Sequence, residues 1–251
     1  MSGSFDFSDQ VVLVTGGASG IGAGIVEAFV ACGARVAFTF ATSAAEAQAL
    51  VDKHGTQSIL SLGADLRLEA ECMRVVAQTQ ARFGSLDVLV TNAGGLIARA
   101  ATVETTADLW HQAFELNVLS TVLCCKAALP AMLARRRGAI VTMGSIAAHS
   151  GGTNAAHYSA AKGAIHTFTR ALAKEAAPHV RVNSVAPGLI GTRFHDIFST
   201  PAKRKATVAQ TPLAREGAPA DVAAAVLFLA SAAASFLTGE IIEVNGGVGM
   251  F

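Results

Sequence analysis

Short β-branched runs alternate with stretches of helical periodicity along almost the whole chain, and this alternation limits the fold more than any other feature. Residues 11–14, 35–40, 58–62, 86–90, 139–143, 180–185 and 241–244 read as strands. Between them, 22–31, 44–53, 70–83, 106–133 (with a break), 156–177 and 220–230 read as helices. Such an order builds βαβ units, whose crossovers are right-handed. The expectation is an α/β fold: one doubly wound parallel sheet of about seven strands with helices on both faces. No repeat, linker or low-complexity tract divides the chain, so residues 1–251 read as a single domain.

Composition narrows the function. The chain is 52% hydrophobic and 15% charged, enough apolar matter for a large core and some surface buried between subunits. A net charge of +1 argues against a nucleic-acid partner. The basic run Arg135–Arg137 precedes Gly138 and reads as a helix C-terminus, where cations complement the helix dipole. Cys32, Cys72, Cys124 and Cys125 have no metal-ligand spacing, and the adjacent pair reads as core. Reduced thiols fit the cytosol. The first ten residues lack a signal-peptide pattern, and no apolar run reads as long and charge-free enough to span a bilayer. A soluble cytoplasmic protein with neither membrane nor metal site is expected.

The first strand runs into Thr15-Gly16-Gly17-Ala18-Ser19-Gly20-Ile21-Gly22, which opens the first helix. Gly16, Gly20 and Gly22 let the turn tighten and let backbone approach a pyrophosphate, while the helix N-terminus offers free N–H groups. Ser19 and Ile21 fall within the same turn. The end of the second strand, where an acid favours NAD and a base NADP, is Phe40-Ala41-Thr42-Ser43. It carries neither. Thr42 and Ser43 can donate to a 2′-phosphate, and NADP(H) is favoured slightly over NAD(H).

Tyr158 and Lys162 stand four apart on a helix, hence on one face, and Tyr158 is the only tyrosine. Ser145 ends a strand just upstream and Asn117 sits in an earlier helix. A free tyrosine titrates near 10, too high for a base at neutral pH; a neighbouring Lys⁺ and an oxidised nicotinamide would lower it. Tyr158 then passes the proton as a hydride moves. Ser145 stabilises charge developing on the substrate oxygen. Lys162 also holds the nicotinamide ribose, and Asn117 positions a water linking Lys162 to solvent.

With these motifs assembled, the sequence resembles the short-chain dehydrogenase/reductase family over roughly residues 9–247. The residues that carry the resemblance are TGGASGIG at 15–22, Asp65 in GADL, Asn92-Ala93-Gly94, Asn117, Ser145, Tyr158 with Lys162, and Pro187-Gly188 followed by Thr192. It implies a Rossmann-type NAD(P)-binding oxidoreductase. Asp65 and Leu66 would contact the adenine. Asn92, Ala93 and Gly94 would line the adenine ribose and steady the sheet. Pro187, Gly188, Ile190 and Thr192 would meet the nicotinamide end. The resemblance also implies a homotetramer built partly on helices 106–133 and 156–177, with the apolar tail after Gly246 forming a second interface.

The expected activity is interconversion of a secondary alcohol and a carbonyl by hydride transfer. A small sugar, polyol or hydroxy compound is the substrate favoured, with 3-oxoacyl-acyl-carrier-protein reduction as the alternative. A non-enzymatic dinucleotide sensor is the alternative of another class. Substrate choice is expected in 95–97, 149–157 and 190–212, with Phe194, Ile197 and Phe198 as an apolar lid.

Overall fold

The computed structural model describes residues 5–251. Seven parallel strands form one sheet in the order β3-β2-β1-β4-β5-β6-β7. They are β1 Val11–Val14, β2 Arg35–Phe40, β3 Ile59–Gly63, β4 Val88–Thr91, β5 Gly138–Met143, β6 Val180–Pro187 and β7 Ile241–Val244. The chain winds outward from β1 to β3, then returns to pair β4 on the other side of β1. The strand order therefore reverses between β1 and β4, and a crevice opens beyond their C-terminal ends.

Alternating side chains of these buried strands feed two cores. Val12, Val14, Val36, Phe38, Val88 and Val90 pack with α1 (Gly20–Ala31) and α10 (Pro219–Ala230). Val11, Leu13, Ala37, Leu89, Ile140 and Val182 pack with α3 (Glu69–Phe83), α5 (Ser120–Ala134) and α7 (Ala156–Ala176). Burial on both faces is why the strands read as continuous apolar runs. Cys124 and Cys125 lie in the second core, and burial pushes the Cys125 thiol up to about 12.

The remaining helices are α2 (Ala44–His54), α4 (Ala107–Phe114), α6 (Ala147–Ser150), α8 (Arg193–Phe198) and α9 (Pro201–Gln210). The break expected within 106–133 is a turn of π-helix, Glu115–Leu119, joining α4 to α5. Together they make a continuous helix, Ala107–Ala134, that is long and apolar enough to cross a membrane by length and composition, against the expectation of no such run. It lies along the sheet, with 44% of its most apolar stretch buried there. The charged residues that interrupt its sequence are few because one flank belongs to the core.

At the N-terminal end of the sheet Asp87 is 2% exposed. It accepts from Val11 N, Ser85 Oγ, Arg135 Nη2 and Arg137 Nη2 at 2.7–3.0 Å. Burial pushes this carboxyl up, but Arg137, the Val11 amide, Ser85 and Arg135 together hold it below its ordinary value. The basic run thus closes a helix end, as its sequence position suggested.

Candidate active site

The glycine turn hangs between β1 and α1 and is pinned from two sides. Gly16 N donates to Thr39 Oγ1 at 3.0 Å and Gly17 N to Thr39 O at 2.8 Å. From β4, Asn92 Nδ2 donates to Thr15 O and Gly16 O at 2.9 and 3.0 Å, and Ala93 N to Thr15 Oγ1 at 2.9 Å. Gly16 has φ +63°, a conformation that side chains resist. At Gly22 a Cβ would overlap the Gly16 carbonyl oxygen. The start of α1, Gly20, Ile21 and Gly22, lines the crevice, and no side chain of Ser19 caps its amides. This cradle fits a pyrophosphate, held by backbone N–H groups and the helix dipole.

A cleft of about 690 Å³ runs from this turn across the strand ends. Its wall includes Gly16, Ser19, Gly20, Ile21, Gly22, Thr42, Ser43, Asp65, Leu66, Asn92, Ala93 and Gly94. It also includes Ser145, Tyr158 and Lys162, with Lys162 close to Gly94, and Pro187, Gly188, Ile190 and Thr192, with Thr192 close to Gly20. All the expected site residues therefore share one cleft except Asn117, which does not line it.

Asn117, 1% exposed, stands behind the wall. Its Nδ2 donates to Gly95 O and Ala113 O at 3.0 and 2.9 Å, and its Oδ1 accepts from Gly95 N at 2.9 Å. It braces the loop that follows β4, and both ends of its amide are occupied by protein. The π-turn carrying it places that side chain under Gly94.

Ser145 follows β5 and is 8% exposed; its Oγ accepts from Ala147 N at 3.1 Å. Tyr158 and Lys162 project from α7 with Lys162 Nζ 5.8 Å from the Tyr158 ring centre. Lys162 Nζ donates to Met143 O at 2.8 Å. Burial draws the Lys162 ammonium down to about 8. Burial also raises the Tyr158 phenol, against a smaller opposite pull from the Ser145 hydroxyl. The expectation that Lys162 lowers Tyr158 is thus not met in the protein alone. Desolvation of the phenolate outweighs the Ser145 hydrogen bond.

Beyond the end of β2, the Thr42 and Ser43 hydroxyls make no hydrogen bond among the described residues, and both line the cleft. The Arg67 guanidinium grips Asp65 at 2.6–3.1 Å and holds its carboxyl below the usual range. Thr192 faces Gly20 of the turn and begins α8. Phe194 of α8 lies 6.3 Å from the Tyr158 ring and 5.2 Å from that of Phe198. Ile197 points away, 61% exposed.

Three features were not foreseen. Thr15 and Thr39 anchor the glycine turn, yet a strand threonine gives no sign of it in sequence. Arg99 reaches from the loop after β4 to Thr153 O and Phe198 O, 2.8 and 2.7 Å away. Val248, from the tail, also lines the cleft. Beside it Phe251 stacks on His149 at 4.4 Å within the same chain.

A doubly wound sheet with a glycine cradle at its switch point is the architecture of dinucleotide-dependent oxidoreductases. A family model described as enoyl-(acyl carrier protein) reductase matches residues 16–249. The chain is 37% identical to a glucose and ribitol dehydrogenase homolog of Oryza sativa subsp. japonica, over 96% of this chain and 86% of that one. It is 38% identical to the 3-oxoacyl-[acyl-carrier-protein] reductase FabG of Salmonella typhimurium, over 97% and 99%. A solved short-chain dehydrogenase/reductase structure from Brucella melitensis, titled glucose/ribitol dehydrogenase, superposes with a TM-score of 0.93 at 37% identity, covering 99% and 100% of the two chains. The chain belongs to the short-chain dehydrogenase/reductase family and is an enzyme of that class, whose members use NAD(P)(H).

Proposed function

We propose that the protein interconverts a secondary alcohol and a carbonyl on a sugar, polyol or small hydroxy compound, with residues 1–251 working as one domain. The observation that carries this reading is the convergence of Ser145, Tyr158 and Lys162 on one cleft with the glycine cradle. The dinucleotide supplies or accepts the hydride when bound. Ser145 donates to the substrate oxygen and steadies its charge. Tyr158 passes the proton to or from that oxygen, and Lys162 orients the ribose beside it. Gly16, Ser19, Gly20, Ile21 and Gly22 cradle the pyrophosphate. Asp65, Leu66, Asn92, Ala93 and Gly94 take the adenosine half, and Pro187, Gly188, Ile190 and Thr192 the nicotinamide. Asn117 acts through the loop at Gly95. The free hydroxyls of Thr42 and Ser43 support NADP(H) over NAD(H).

Tyr158→Phe tests the proton role. Turnover should fall about 10²–10⁴-fold, while fluorescence titration with NADPH gives an affinity close to wild type. Substantial turnover by this variant would falsify the assignment. Titration of both reduced cofactors tests the phosphate site, with tighter NADPH binding expected.

Reduction of a 3-oxoacyl thioester on a carrier protein is the second reading, supported by the likeness to FabG. Arg135–Arg137 lend it no further support: Arg135 and Arg137 bind Asp87 at the end of the sheet opposite the cleft. Failure to reduce an acetoacetyl thioester with either cofactor would remove it.

A further inference from the structure

The cleft carries cations that no carboxylate answers. Asp65 is the one acid among the described residues lining it, and Asp65 sits at the adenosine end in the grip of Arg67. Besides Lys162 of the catalytic group, Arg99, Arg193, Lys203 and Arg204 line it. Arg204 is neutralised by Asp196 and Glu216, both at 2.5 Å. Arg193 follows Thr192, which faces Gly20 of the turn, so it belongs to the phosphate side. His195 is held low by burial and by Arg204, and its Nδ1 sits 3.1 Å from Ser199 Oγ, so it brings no charge at neutral pH.

Lys203 is exposed and its ammonium has no partner among the described residues; Arg99, also exposed, differs in being tethered. Its Nε and Nη1 are spent on two backbone carbonyls, Phe198 O at the end of α8 and Thr153 O ahead of α7. Its Nη2 has no partner and the guanidinium no counter-ion among the described residues. Two carbonyls fix the plane of the group without cancelling its charge. A guanidinium fixed in this way loses little freedom on meeting an anion and presents a fork suited to a carboxylate. Leu96, Phe194 and Val248 give the same cleft apolar wall, and the Phe194 ring lies 6.3 Å from that of Tyr158.

We propose that the substrate is a hydroxy or oxo carboxylic acid whose carboxylate binds Arg99 through Nη2, with its apolar spacer against Leu96, Phe194 and Val248. This rests on the alcohol–carbonyl reading above and narrows its substrate class.

The test compares 4-oxopentanoate, 5-oxohexanoate and 6-oxoheptanoate with their primary amides, using wild type, Arg99→Gln and Arg99→Lys. In wild type the best acid exceeds its amide in kcat/KM about tenfold or more. Arg99→Gln lowers that ratio about tenfold, and Arg99→Lys retains part of it. The ratio is the readout because losing the two carbonyl contacts loosens α8 for acid and amide alike. A wild-type ratio near one, or a ratio unchanged in Arg99→Gln, overturns the proposal. Calorimetric titration of the acids into the cofactor-loaded protein reads the anchor without turnover. Absence there of binding that Arg99→Gln weakens also overturns it. Turnover of amides and neutral ketones without acid preference leaves the oxidoreductase reading standing, whereas no turnover of any ketone or alcohol removes that reading itself.

Discussion

Lys162 is the residue whose environment departs furthest from what its spacing suggests. Sequence places it one turn from Tyr158, and the fold buries it against Met143 O. Burial brings its ammonium down to about 8, so it loses its charge as the pH rises through that value. Affinity for NADPH should therefore weaken above about pH 8, because a neutral amine holds the ribose hydroxyls less strongly. In Lys162→Met the affinity should be low and flat over the same range; an unchanged inflection in that variant would assign the titration elsewhere. That Tyr158, Ser145 and Lys162 share one cleft was legible because chemistry restricts the residue types that suit the proposed roles. Asn117 was legible as a position but not as a contact: nothing local indicates that its amide is consumed by Gly95 and Ala113. Arg99 was illegible, since its partners lie 54 and 99 positions away.

At the scale of elements, the strands and long helices were readable from their periods, while α8 and α9 were not. Six residues, Arg193–Phe198, are too few to establish a helical period. For α9 a signal existed: Thr200 caps the helix by accepting from Lys203 N, and Pro201 follows at the first turn. Helix ends also depend on distant residues. The C-terminal carbonyls of α10 find their donors in β6, where Arg181 serves Leu229 O, Ala230 O and Ser231 O at 2.7–3.2 Å. It also reaches Ala234 O at 3.0 Å. Arg181→Leu would leave these carbonyls without a partner, at a cost of about 2–3 kcal/mol. The thermal midpoint should fall about 4–10 °C while the NADPH affinity is retained. A midpoint within a degree of wild type would show that water replaces the guanidinium there.

For the whole molecule, the outer flank of the Ala107–Ala134 helix is an apolar surface without an assigned partner. Phe114 and Leu119 stand 37% and 42% exposed on it. An apolar helix whose most apolar stretch is only 44% buried suits an interface between copies, and a homotetramer remains the proposed assembly. Sedimentation should give more than one copy for wild type and a smaller species for Leu119→Glu; a monomeric wild type would retire the proposal. The composition had indicated this excess of apolar surface without locating it. The glycine turn carries a different consequence, for folding order. Its two carbonyls are held by Asn92, which lies 77 and 76 positions further along the chain. The turn has no lasting shape until β4 docks beside β1, and pairings that span such a distance form late. During refolding, the recovery of dinucleotide affinity therefore times the closure of the sheet's centre rather than the appearance of its first helix.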